Sequence, residues 1–166
     1  MTKSILPSAL VFFAILISSG LSAQSVANFS GTWTIDTTKS DPGPGGYFMD
    51  KDQILKITQS AGSITFIRIY PSSGNFTTNY KYFFDGKVRT QKKDYGTDKI
   101  SVKWSDDKKV LTITTITTAE TKIGLDDFLG IEAWKLSDDP RTLINESSTQ
   151  NKQTGKTAMV TVYKKK

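Results

Sequence analysis

Paired aspartates are the first residues in this sequence whose type and spacing could do chemistry. Asp106-Asp107, Asp126-Asp127 and Asp138-Asp139 are adjacent carboxylates, which could bind calcium or share the acid–base work of a hydrolase. Each pair falls in a predicted turn or loop, where aspartate is favoured because its side chain accepts hydrogen bonds from nearby backbone N–H groups. None has the spacing of an EF-hand loop. We therefore interpret the three pairs as turn residues and predict no metal site and no catalytic residue.

The chain contains no cysteine and no histidine, and this limits its chemistry. Zinc bound by cysteine or histidine, haem bound by histidine, the Ser-His-Asp triad and the Cys-His dyad are all excluded. An isomerase or hydrolase working through Asp, Glu, Lys or Tyr remains an alternative. The prediction is a protein that is not an enzyme and has no cofactor.

Arg68 is the most informative charged residue, because it lies in the middle of the apolar run "SITFIRIYP". Apolar residues occupy both faces of this run, so the orientation of Arg68 stays open. An inward arginine needs a paired carboxylate or an anionic ligand, and Glu132, beside Trp134, is a candidate partner. The alternative is a rim residue whose aliphatic stem lies on apolar neighbours.

These side chains must be positioned by strands, because no helical periodicity is sustained in the sequence after residue 23. Short runs rich in Thr, Ile, Val, Tyr and Phe alternate with turn residues. Asp85-Gly86 is typical of a tight type I′ hairpin. The connections at 37–52 and 118–128 are longer, and the first is too rich in proline and glycine for a helix. The predicted strands are 31–36, 53–59, 63–70, 76–84, 87–93, 99–105, 109–117, 129–136, 141–148 and 156–163.

The even spacing of these strands predicts an all-β fold: an antiparallel up-and-down meander of about ten strands. Closure into a lipocalin-like β-barrel would remove the two free edges of such a sheet. A two-sheet sandwich is the competing solution, but it usually has longer crossovers.

The first residues have the layout of a secretory signal peptide. Lys3 precedes the apolar run Leu10–Ile17, and small residues follow up to Ala23. A membrane anchor would need about 20 apolar residues. We predict a signal peptide at 1–23, with cleavage after Ala23 or alternatively after Ala27, and a single domain at 24–166. Export without disulfides favours a bacterial periplasmic or secreted location.

The formal net charge of the whole chain is +6, but the basic residues form no stripe with interleaved aromatics. We therefore predict no nucleic-acid partner. No transmembrane segment is predicted in the mature chain, and Lys164–Lys166 is interpreted as a solvated tail.

Both ends of the predicted barrel resemble the calycins, the superfamily of lipocalins and fatty-acid-binding proteins. "NFSGTWTID" resembles their first strand, in which Gly-x-Trp opens the barrel, and "VTVYKKK" resembles the closing strand of fatty-acid-binding proteins, which ends in Arg-x-Tyr. Gly31-Thr-Trp33 with Lys39-Ser-Asp41 is most similar to small exported bacterial lipocalin-like proteins. The resemblance implies that Gly31 and Trp33 plug one end of a barrel. Two features depart from it: a Pro/Gly loop replaces the helical lid, and Thr161 replaces the arginine that anchors a carboxylate.

A barrel of this kind is expected to bind a small apolar or amphipathic molecule in its lumen, with a polar head at Arg68 or Tyr163. Because of Thr161, a simple long fatty acid is not favoured. The alternative is a filled core whose outer surface docks a protein or an envelope component. The sequons at Asn28, Asn75 and Asn145 are expected to be unmodified. The predicted lumen residues are Arg68, Tyr80, Tyr82, Trp104, Glu132, Trp134 and Tyr163.

Overall fold

The computed structural model describes residues 25–44, 50–121, 124–153 and 155–166. The predicted signal peptide at 1–23 lies outside them. The described chain is all-β, as predicted, with one short 3-10 turn at Pro71–Ser73. No helix in these residues is long and apolar enough to span a membrane. The strands are β1 (Gly31–Ile35), β2 (Ile54–Gln59), β3 (Ser63–Tyr70), β4 (Phe76–Phe83), β5 (Arg89–Lys93), β6 (Gly96–Trp104), β7 (Val110–Thr121), β8 (Gly124–Leu136), β9 (Thr142–Asn151) and β10 (Gly155–Lys165).

All ten strands form one antiparallel sheet that curls into a barrel. The order is β4-β3-β2-β1-β10-β9-β8-β7-β6-β5, so every neighbour follows in sequence except at the β1–β10 ladder, which joins the two ends of the chain. There Trp33 pairs with Lys165 and Ile35 with Tyr163. The edges of the sheet are β4 and β5, which have no ladder to each other in the described residues.

The tight hairpin predicted at Asp85-Gly86 is therefore wrong. A type I′ turn needs positive φ at both central residues, and of these two only Gly86 has it, at 69°. The Asp85 carboxylate instead accepts hydrogen bonds from the Lys87 backbone N–H at 3.2 Å and from the Arg89 guanidinium at 2.9 and 2.8 Å. These local bonds shape a wider loop that leaves a seam between β4 and β5.

The irregular connection predicted at 118–128 is also wrong. Strands β7 and β8 pair from Val110↔Lys135 as far as Thr121↔Gly124. Asp126 is thus a strand residue, only 8% exposed, and Asp127 accepts a cross-strand bond from the Thr118 hydroxyl at 2.6 Å. Cross-strand pairing overrides the turn preference of aspartate here.

One end of the barrel, which we call the closed end, is filled by apolar side chains. The segment before β1 crosses it, and Phe29 and Trp33 are fully buried. The Trp33 indole N–H donates to the Phe29 carbonyl at 2.9 Å. Gly31 has a φ of 144°, a conformation that favours glycine. The atoms nearest to where its Cβ would stand belong to the flexible Lys165 side chain and not to another strand's backbone. The backbone conformation is therefore the reason for glycine at this position. The buried core comprises Phe29, Trp33, Leu55, Ile57, Ile64, Phe66, Leu111, Ile113, Trp134, Leu143 and Tyr163.

The opposite end, which we call the open end, carries the β1–β2 connection. Its described part contains turns and no helix. Asp41 forms a two-way backbone bridge with Val160 of β10, both bonds at 2.8 Å. The first half of the Pro/Gly connection is therefore tied to the barrel wall.

Candidate functional site

A cavity of about 420 Å³ lies inside the barrel toward the open end. Strands β1, β3, β7, β8, β9 and β10 all contribute to its wall, together with Gln53, which directly precedes β2. A neighbouring cavity of about 430 Å³ lies beside Pro42 and Pro44 of the β1–β2 connection, and the two share Ser147, Ser148, Thr149 and Met159. The volumes fall in the range of small-molecule sites. The first cavity is lined by Ile35, Gln53, Arg68, Tyr70, Ile113, Thr115, Gly130, Ile131, Glu132, Asn145, Ser147, Ser148, Thr149, Met159, Thr161 and Tyr163.

Arg68 faces this cavity and is paired. Its Nη2 lies 3.0 Å from Oε2 of Glu132, and its side chain is 16% exposed. The Trp134 indole N–H donates to the same oxygen at 3.1 Å, and the Arg68 guanidinium lies 5.5 Å from the centre of the Trp134 ring, within cation–π range. Glu132 and Trp134 are two apart on β8 and so share a face. The inward orientation with Glu132 as partner, one of the alternatives left open by the sequence, is the one adopted.

Burial, the largest single effect, lowers the pKa of Arg68, but the attractions of Glu132 and of the nearby tyrosines Tyr163, Tyr70 and Tyr82 together outweigh it, and the net pKa lies above its ordinary value. The guanidinium is charged at any physiological pH. The ion pair is therefore a fixed feature of the cavity wall.

Tyr163 lies in the cavity wall next to the ion pair. It is 3% exposed, and its hydroxyl donates to Oε1 of Gln53 at 2.7 Å. Its ring stacks on Trp134 with 6.1 Å between centroids. Burial raises the pKa of Tyr163 to about 12, despite the opposing effect of Arg68. The phenol is thus neutral at physiological pH.

Asn145 is a wall residue that the sequence reasoning missed, and Thr161, noted there only as the replacement for an arginine, is a second wall residue. They pair across β9 and β10 and are 5% and 7% exposed. The Asn145 Nδ2 is buried and has no hydrogen-bond partner among the described residues. Alternation along Leu143, Asn145 and Ser147 could have placed the amide inside, but Asn145 drew attention only as part of a sequon. The other wall residues that were not predicted are Ile35, Gln53, Tyr70, Ile113, Thr115, Gly130, Ile131, Ser147, Ser148, Thr149 and Met159.

The remaining predicted lumen residues do not meet at this cavity. Trp104 packs on Phe29 and Phe84 at the closed end, with centroids 5.5 and 5.6 Å away, so it lies away from this cavity. Tyr80 lies on edge strand β4 and is 39% exposed. Tyr82 stacks on Tyr80 at 6.4 Å; burial, followed by Glu132, raises its pKa above the ordinary value. Because β4 borders the open seam, its aromatic side chains are partly exposed and do not line the cavity.

The aspartate pairs contribute no cluster for a metal. Among the described residues, no group of three or more His, Cys, Asp or Glu side chains is placed to hold an ion. Asp107 and Asp139 make the local bonds of turns, to the Lys109 and Arg141 backbone N–H groups at 3.1 and 3.0 Å. Asp126 differs, as described above, because it lies within β8.

No family model and no curated protein matches this chain. Two solved structures share its fold. The zebrafish ileal bile acid-binding protein complexed with cholic acid has a TM-score of 0.56 and 18% identity, over 83% of this chain and 98% of that one. The wild-type fluorescent protein UnaG has a TM-score of 0.52 and 12% identity, over 83% and 97%. The chain thus shares the β-barrel fold of these two structures.

Proposed function

We propose that this protein is exported and binds a small apolar or amphipathic molecule in its barrel. One observation carries the proposal: an internal cavity of about 420 Å³ lined by apolar side chains and by convergent polar groups. Ile35, Ile113 and Ile131 supply apolar surface, and Arg68, Glu132 and Tyr163 supply polar groups. Apolar surface with a few placed polar groups is the usual composition of a ligand pocket. The fold shared with a bile acid-binding protein supports binding rather than catalysis.

Gly130 offers a way to block the cavity without disturbing the sheet. It lies in the cavity wall, and a Cβ added to it would meet only Thr115 atoms, at 3.7 and 3.9 Å. Gly130→Phe should therefore fill the space with a benzyl group. Gly62 is the matched control, since a Cβ there meets nothing within 4 Å.

The test is a titration of the mature protein with a fluorescent apolar probe, followed by probe emission and tryptophan quenching. Wild type and Gly62→Phe should bind equally, and Gly130→Phe should bind at least tenfold more weakly. Native mass spectrometry of protein from its own host should show a co-purified small molecule. Equal probe binding by Gly130→Phe and wild type would overturn the cavity as the site.

A docking role has one observation in its favour. Edge strand β4 has no partner on one side among the described strands, and it exposes Phe76 by 60%, Tyr80 by 39% and Phe83 by 36%. An exposed edge can accept another strand. If no probe enters the barrel while Phe76→Ser and Phe83→Ser abolish a pull-down from envelope extract, docking becomes the better-supported function.

A further inference from the structure

The charge on the cavity wall is balanced, and this limits the head group that the cavity can accept. Among the described side chains that line it, only Arg68 and Glu132 are charged, and they form a direct pair at 3.0 Å. The Tyr163 phenol is neutral below about pH 12. No uncompensated positive charge therefore faces the guest from this wall.

A carboxylate would enter this cavity at a disadvantage. It would lose its hydration and would meet Glu132 at the same place as Arg68, so attraction to one is offset by repulsion from the other. Arg68 has other guanidinium N–H groups that could donate to a guest, but Glu132 at 3.0 Å already compensates its charge, so a carboxylate would gain a hydrogen bond without a net charge attraction. An ammonium head would face the converse problem with Arg68.

Asn145 indicates what the cavity can accept. Its Nδ2 is a buried donor without a partner in the described chain, and its side chain faces the cavity. A buried N–H group left unsatisfied lowers stability, so such groups normally have a partner. Because Asn145 lines the cavity, an acceptor on a guest that reaches its amide would supply the missing partner. Thr161, directly across on β10, adds a hydroxyl that can donate or accept.

We propose that the guest is an uncharged amphiphile whose head-group oxygen accepts a hydrogen bond from Asn145, while the Arg68–Glu132 pair excludes carboxylates. An ester, amide or hydroxyl head on an apolar body fits this description. The inference rests on the proposed function and adds the class of ligand.

The first test compares head groups on one tail. Laurate, 1-monolauroylglycerol and dodecylammonium, each below its critical micelle concentration, compete against a bound fluorescent apolar probe at pH 7.5. Monolauroylglycerol should bind at least tenfold more tightly than either ion. Tightest binding of laurate or of dodecylammonium would overturn the inference.

The second test changes the charge balance. Glu132→Gln keeps an oxygen for the Trp134 indole N–H but leaves Arg68 uncompensated. Laurate affinity should rise at least tenfold, whereas monolauroylglycerol affinity should change less than threefold. Unchanged laurate affinity in a folded Glu132→Gln protein would mean that the pair does not control selection.

The third test addresses the amide. Asn145→Leu replaces the unsatisfied donor by an apolar group of similar volume, so the ligand-free protein should melt at a higher temperature while monolauroylglycerol binds about tenfold more weakly. If the leucine variant does not fold, Asn145→Ala supplies the affinity measurement. Wild-type affinity in the folded variant would contradict the role of Asn145. Probe binding with the wrong head-group preference defeats only this inference, whereas no probe binding at all defeats the proposed function as well.

Discussion

At the scale of single residues, Trp33 combines complete burial with two specific contacts. Its indole N–H donates to Phe29 at 2.9 Å, and the Lys165 ammonium lies 5.2 Å from its ring centroid. Trp33→Ala should therefore reduce the free energy of unfolding by about 3–5 kcal/mol, as large aromatic truncations in cores do. Urea unfolding followed by circular dichroism measures the loss. Ile116→Ala, on the outer face and 40% exposed in wild type, is the control, and a Trp33→Ala loss below about 1 kcal/mol would contradict the structural role.

Tyr163 should make stability depend on alkaline pH. Its pKa is about 12 in the folded protein against 10.0 for an unperturbed tyrosine, so its stabilising effect is complete below pH 10 and is lost as the pH rises toward 12. The shift of about 2 units corresponds to about 2–3 kcal/mol. Below pH 9, Tyr163→Phe should be about 1 kcal/mol less stable than wild type, because it lacks the bond to Gln53.

The measurement is a set of denaturant unfolding curves from pH 8 to pH 12 on both proteins. The difference between them isolates Tyr163 from the lysines, which titrate in both. It should shrink above pH 10 and then change sign. A difference that stays constant with pH would show that Tyr163 ionises as easily in the folded chain as in the unfolded one.

Only some of the residues that line the cavity could be predicted from the sequence. Alternation and a charged residue within an apolar run identified Arg68, with Glu132 as its candidate partner. Asn145 was missed because the sequence does not show which face of its strand is turned to the inside of the barrel. Without the neighbouring strands, an asparagine in a strand looks like any other exposed polar residue. The roles of all these residues in binding stay predictions.

At the scale of elements, the β1–β2 connection depends on one glycine. Gly43 has a φ of 70°, and a Cβ there would lie 2.0 Å from the Ala158 carbonyl oxygen. Gly43→Ala should therefore push the connection away from β10 and break the Asp41–Val160 bridge. Gly74 has a φ of 71° with nothing within 4 Å of its Cβ position, so Gly74→Ala carries the same backbone strain, of about 1–2 kcal/mol, without the clash.

Hydrogen exchange at Asp41 and Val160 distinguishes the two variants. Gly43→Ala should remove protection at both amides and lose more stability than Gly74→Ala. Equal stability losses with protected amides would mean that the backbone absorbs the added methyl group without moving the connection.

The strands themselves were largely predictable, because ten β-rich runs separated by turn residues specify a meander. The errors came where one residue type serves two purposes. Aspartate favours turns, yet Asp126 and Asp127 extend β8 because β7 offers a full ladder up to Thr121. Asp85-Gly86 suits a hairpin, yet Arg89 binds the Asp85 carboxylate and stabilises a wider loop. The first outcome depends on pairing with another strand, β7. The second depends on Arg89, which lies outside the Asp-Gly pair that predicted the turn.

At the scale of the whole molecule, the segment before β1 bears on where the predicted signal peptide would be cleaved. The Ala27 backbone N–H donates to Lys108 at 3.0 Å, and its carbonyl accepts from Gln59 at 2.8 Å. Cleavage after Ala27 would remove both bonds from the closed end. We expect the mature protein to begin at Gln24, as judged by intact mass of protein from its native host. A mass starting at Asn28, or one retaining Met1 in a soluble fraction, would contradict this expectation.

The seam between β4 and β5 is also a place where a circular permutant could have its new ends, because no described ladder joins these two strands. Lys166 donates its backbone N–H to Thr32 at 2.9 Å, so the last residue already lies beside the first strand. A circular permutant could join the old ends by a short flexible linker and be cut between Asp85 and Lys87, and it would lose no described ladder. Its first strand would be β5 and its last β4, and every ladder would connect strands adjacent in sequence. The one long-range closure of the natural chain, β1 with β10, would become a local hairpin, which lowers contact order and should speed folding.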